Sequence, residues 1–132
     1  MNILLVEDNA NDAHLAKEAL REIGASGVTL HHVFDGEQAL AFVYNNDPAP
    51  DLILLDLNIP RKRGMEVLEE LKAHDFYRRI PIFILTMSTA ERDIDDGFYN
   101  HANLYLPKRD YLRTVDMMRV MLEFFEFCKF PE

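Results

Sequence analysis

Leu52-Ile53-Leu54-Leu55-Asp56-Leu57-Asn58-Ile59-Pro60 is the stretch on which the fold turns. Four apolar residues run without alternation into a carboxylate, and Pro60 follows shortly after. A strand that reads as a continuous apolar run belongs to a sheet covered on both faces. Residues 3–6 run in the same way into Glu7-Asp8, and residues 82–85 run into Thr86. Residues 28–33 are rich in β-branched side chains and predict another strand, and residues 104–106 predict a short last one.

Helical spacing fills the intervals. Leu15, Ala16, Ala19, Leu20 and Ile23 share one face over residues 12–23, and Gly24 stops that helix. Ala39, Leu40 and Val43 mark a short helix, and Met65, Val67, Leu68 and Leu71 mark one opened by Gly64. A polar helix over about residues 90–100 and a long one over about residues 110–128 complete the series. Five strands alternating with five helices predict an α/β fold, a doubly wound five-stranded parallel sheet with helices on both faces. In such a sheet ligands sit beyond the carboxyl ends of the strands, where the strand order reverses.

Composition narrows the function. The chain has 132 residues, with 14 Lys+Arg against 23 Asp+Glu and a net charge of −9, and it reads as one acidic domain. That balance predicts no broad contact with nucleic acid. Every run free of charged residues is well short of the about 18 that a membrane span needs, and no basic lead precedes Glu7. A cytoplasmic protein without membrane contact is expected. Cys128 is the lone cysteine, so neither an internal disulfide nor a thiolate metal cluster is available.

The residues after the apolar blocks are Glu7-Asp8, Asp56, Thr86 and, beyond the last block, Lys108. Three carboxylates crowd together at a cost unless a cation neutralises them. Hard oxygen ligands favour Mg²⁺, Ca²⁺ or Mn²⁺, and an incomplete protein cage favours Mg²⁺. A lysine and a hydroxyl facing the same spot suit a tetrahedral anion, and phosphoryl transfer needs little beyond positioning and charge neutralisation.

Taken together these motifs resemble the receiver domains of two-component response regulators, over essentially all of residues 1–132. Leu4-Leu5-Val6-Glu7-Asp8 is similar to the family's acidic pair, and the stretch around Asp56 is similar to its phosphoacceptor loop, with Gly64 eight residues on. Thr86 and Lys108 stand 30 and 52 residues after Asp56, and Tyr105 falls where the family carries its aromatic switch. The resemblance implies a flavodoxin-like strand order, 2-1-3-4-5. It implies that Asp56 accepts a phosphoryl group from a sensor histidine kinase and that Mg²⁺ is held by Asp8 and Asp56, by Glu7 through water and by the backbone carbonyl of Asn58. Lys108 and Thr86 would contact the phosphoryl oxygens. Val6-Glu7-Asp8-Asn9, Leu57-Asn58-Ile59-Pro60-Arg61-Lys62, Asn103-Leu104-Tyr105-Leu106 and the aromatic Glu123-Phe124-Phe125-Glu126-Phe127, in the helix extension over residues 123–132, resemble the stand-alone regulators that serve phytochrome kinases. Such a protein is a phosphoacceptor assisting its own phosphoryl transfer and dephosphorylation, not an enzyme with a separate substrate, and it signals through protein contacts.

Two positions depart from the family pattern. Arg109 stands where a proline usually follows the lysine, so a trans bond is expected there, because cis costs about 2.5–4 kcal/mol before a non-proline. Met87 stands where a small residue is common. Two other functions compete with this one. An aspartate-nucleophile phosphatase needs an acid two residues after Asp56, where Asn58 stands. A receiver-like interaction or dimerisation module acting without phosphorylation would be expected to have lost one of the site residues.

The last helix carries apolar residues on two sides. Leu112, Val115, Met118, Leu122 and Phe125 gather toward the sheet, and Met117, Val120, Met121, Phe124 and Phe127 gather opposite. The second face predicts a homodimer.

Overall fold

The computed structural model describes residues 1–22, 27–86, 102, 104–107 and 111–127, with backbone alone at 86, 104–107, 111–114 and 124–127. The chain alternates β1 (Asn2–Val6), α1 (Ala10–Glu22), β2 (Thr29–Val33), α2 (Gly36–Asn45), β3 (Leu52–Leu55) and α3 (Gly64–Ala73). A single 3₁₀ turn, Tyr77–Arg79, leads into β4 (Ile82–Thr86), β5 (Leu104–Pro107) and the last helix, α4 (Tyr111–Phe127). The polar helix expected near residues 90–100 lies outside the described residues, as do Met87, Lys108 and Arg109.

All pairings are parallel, and the strands stand in the order β2-β1-β3-β4-β5. The continuous apolar runs explain themselves once the two faces are separated. Leu4, Val6, Ile53, Leu55, Ile82 and Ile84 face the cluster that holds Ala39, Leu40, Val43, Val67, Leu68 and Leu71 of α2 and α3. Ile3, Leu5, Leu52, Leu54 and Phe83 face the opposite cluster, with Ala13, Ala16, Ala19 and Leu20 of α1 and Val115, Met118, Met121 and Leu122 of α4. Successive strand residues point to opposite faces, so both sets must be apolar.

Helix starts follow from short polar residues. The Asn9 side chain accepts from the Asp12 amide at 3.0 Å ahead of α1, and buried Asp35 accepts from the Gln38 amide at 2.7 Å ahead of α2. Each satisfies an amide that the helix itself leaves unpaired. Gln38 reciprocates by accepting from the Phe34 amide at 2.9 Å.

One expectation for α4 is corrected. Met121, placed on the outward face, is 3 % exposed and packs in the core with Met118 and Leu122. At 100° per residue Met121 lies only about 60° from Met118, inside the arc of at least 100° that a helix buries against a sheet. Val120 faces outward as expected, at 64 % exposure, and Met117 is half-buried.

Candidate functional site

Strand order reverses between β1 and β3, and their carboxyl ends open side by side. Leu4 to Val6 pair with Ile53 to Leu55, and the Asp56 amide donates to the Val6 carbonyl at 3.1 Å. The backbone therefore delivers Glu7 and Asp8 to one rim and Asp56 to the other. Ligand oxygens of Glu7, Asp8 and Asp56 lie within 4.8 Å of one another. Glu7 and Asp56 are 2 % and 5 % exposed, while Asp8 is open to solvent.

Backbone amides hold two of these carboxylates. Glu7 Oε1 accepts from the Asn9 amide at 3.0 Å, and Asp56 Oδ1 accepts from the Asn58 amide at 3.1 Å. An all-oxygen set with two buried carboxylates fits a hard divalent cation, which offsets their mutual repulsion. The donor set matches Mg²⁺ better than a softer metal, since it offers neither thiolate nor imidazole.

Close backbone approaches shape the loop after Asp56. A β-carbon on Gly64 would clash with the Asp56 carbonyl oxygen, and one on Gly36 would clash with the Lys62 carbonyl oxygen. The Gly36 amide donates to the Pro60 carbonyl at 3.4 Å, and Arg61, held at φ +68°, sets its Nε 3.6 Å from buried Asp35. The start of α2 thus anchors the far side of the loop.

The structure brings Glu7, Asp8 and Asp56 together and ties Asn58 to Asp56 through its amide. Thr86 ends β4 in register with Pro107 of β5, and Tyr105 pairs with Ile84, so these strand ends border the same rim by backbone position. Lys108 lies outside the described residues. Of the three consecutive cations Arg61-Lys62-Arg63 in the loop after Asp56, two are engaged locally: Arg61 with Asp35 and Glu37, and Lys62 with Glu70 at 2.6 Å. That bond and one from Tyr44 hold the Glu70 carboxyl below the usual range. A further contact joins His32 Nε2 to the Glu7 carbonyl at 2.7 Å. Nothing in local sequence marks it, because it joins residues 25 apart through the pairing of β1 with β2.

The family model described as the response regulator receiver domain matches residues 3–117. The chain belongs to the response regulator receiver domain family. As such a receiver domain, it accepts a phosphoryl group in two-component signalling. It is 40 % identical over 132 residues to the response regulator Rcp1 of Synechocystis sp., an alignment covering 93 % of this chain and 86 % of that one. It is also similar to the phosphorylated cyanobacterial phytochrome response regulator RcpA, at TM-score 0.90 and 36 % identity, covering 99 % and 98 % of the two chains. The Mn²⁺-bound form of Rcp1 superposes at TM-score 0.87 and 36 % identity over 99 % of each chain. No described helix of this receiver domain is long and apolar enough to cross a membrane.

Proposed function

We propose that Asp56 is the phosphoacceptor and that a phytochrome-type sensor histidine kinase is the donor. The observation that carries this reading is the convergence of Glu7, Asp8 and Asp56 within 4.8 Å at the point where the strand order reverses. A carboxylate oxygen of Asp56 attacks phosphorus, an O–P bond forms, and the N–P bond to the kinase histidine breaks. The Asn58 amide holds Oδ1 and so orients the nucleophile before the donor arrives. Glu7, Asp8, Asp56 and the Asn58 carbonyl would hold Mg²⁺, which supplies charge neutralisation when bound. Lys108 and Thr86 contact the phosphoryl oxygens, and Tyr105 serves as the switch that reports on them. The protein thereby assists its own phosphorylation and dephosphorylation while passing the signal by protein contacts.

The same reading includes a homodimer through α4, with Met117, Val120, Phe124 and Phe127 at its interface and Met121 excluded. Exposed Val120 on the face away from the sheet supports it. The kinase assignment draws its support from the likeness to Rcp1 and RcpA. Incubation with acetyl phosphate and Mg²⁺ followed by intact mass tests the central claim. The expected result is a gain of one phosphate that disappears with Asp56→Asn. Phosphate on the variant would overturn the assignment.

A further inference from the structure

His32 and His31 are adjacent in β2, and they reach opposite ways. His31 Nε2 lies 3.3 Å from Asn2 Oδ1, whereas His32 Nε2 lies 2.7 Å from the Glu7 carbonyl oxygen. A carbonyl only accepts, so Nε2 of His32 carries the hydrogen. The oxygen it meets belongs to the peptide unit joining Glu7 to Asp8, and that unit is planar. Holding the oxygen sets the plane of the Asp8 amide and the directions in which both acids leave the backbone. The Glu7 amide donates to the Val33 carbonyl at 3.1 Å, so Glu7 is tied to β2 through both of its backbone groups. Phe34 packs against the imidazole, ring centroids 4.3 Å apart, and steadies the donor.

We propose that His32 is a positioning residue for the cation site: its Nε2–H fixes the peptide between Glu7 and Asp8 so that these acids and Asp56 converge on one divalent cation. The inference rests on reading Glu7, Asp8 and Asp56 as that site. It differs from a packing role because the ring without its donor is expected to fail. His32→Phe keeps the ring and its contact with Phe34 while removing the hydrogen bond, and His32→Gln keeps a side-chain N–H.

The test is calorimetric titration of Mg²⁺ into the native protein, Asp8→Ala, His32→Phe and His32→Gln. Binding is expected in the native protein and lost in Asp8→Ala. His32→Phe should bind about tenfold more weakly, as when an outer-shell partner of a metal site is removed, and His32→Gln should recover most of the affinity. Native affinity in His32→Phe overturns the proposal while leaving the cation site standing, and so does a His32→Gln no better than His32→Phe. A native protein that binds no Mg²⁺ overturns the site and the proposal together. Long-range ¹H–¹⁵N spectra of the native protein read the tautomer without any variant. The neutral ring should carry its hydrogen on Nε2, and a hydrogen on Nδ1 would overturn the proposal.

Discussion

Gly64 and Asp56 meet backbone to backbone: a β-carbon on Gly64 would clash with the Asp56 carbonyl oxygen and crowd the α-carbon of Leu57. The Gly64 amide also donates to the Leu57 carbonyl at 3.2 Å. The loop after Asp56 therefore folds back so tightly that the first residue of α3 lies against its beginning. The glycine is required by space, not by an unusual backbone angle.

Gly64→Ala is expected to lower stability by about 1–3 kcal/mol or more, because backbone cannot yield as a side chain does. Urea unfolding measures the loss. The same variant should be phosphorylated more slowly by acetyl phosphate, since Asp56 shares the displaced peptide.

Asp56→Asn is expected to abolish phosphorylation and leave the fold intact. The amide is nearly isosteric, and one of three crowded carboxylates is removed. Without Mg²⁺ the variant should melt no lower than the native protein. A marked fall in melting temperature would count against the crowding argument.

Mg²⁺ is expected to stabilise the unphosphorylated protein, since the three carboxylates converge only in the folded chain. At 100 times the dissociation constant the gain is about 2.7 kcal/mol. Asp8→Ala should remove most of it. Thermal melts with and without Mg²⁺ provide the check.

Lys72 predicts a rise of stability in alkali. Burial pushes its amine down to about 8, although Nζ donates to the carbonyls of Ile80 at 2.7 Å and Arg78 at 3.1 Å. An unfolded lysine holds its proton to about 10.4. Between those values the unfolded chain binds more protons, so this group's contribution grows as pH rises. Native protein should gain on the order of 1–2 kcal/mol relative to Lys72→Met between pH 8 and 10. Paired urea curves at several pH values decide it, and parallel curves would refute the assignment.

Sedimentation tests the assembly. Native protein is expected to dimerise at micromolar concentration, and Phe124→Lys/Phe127→Lys to remain monomeric. Each aromatic contributes about 1.5–3 kcal/mol when buried. A native protein that stays monomeric at high micromolar concentration, with or without phosphate, would remove the dimer from the proposed function.

The acids were legible because a parallel sheet buried on both faces leaves a signature in the chain. Residues 3–6 and 52–55 cannot alternate, so the first charges after them, Glu7-Asp8 and Asp56, mark the strand ends where ligands sit. That inference needs only local pattern and the rule of connection. The starts of the helices were less plain, since Asp35 caps α2 four residues before the first periodic apolar position, Ala39, with Gly36, Glu37 and Gln38 between.

What the chain alone determined was the order of strands and helices, the acids at the strand ends and the outward face of α4 at Val120. The tertiary structure decided which distant backbones touch. His32 reaches Glu7 only because β2 pairs beside β1, Arg61 finds Asp35 only because the loop after β3 closes over the start of α2, and Gly64 is needed only because α3 returns to Asp56. Met121 is buried for the same kind of reason, because the width of the stripe a helix hides depends on the surface it lies against. Periodicity records which way a side chain points along its own element. Contacts between elements depend on spacing and register across the fold, and these arise only when the sheet and its helices are packed together.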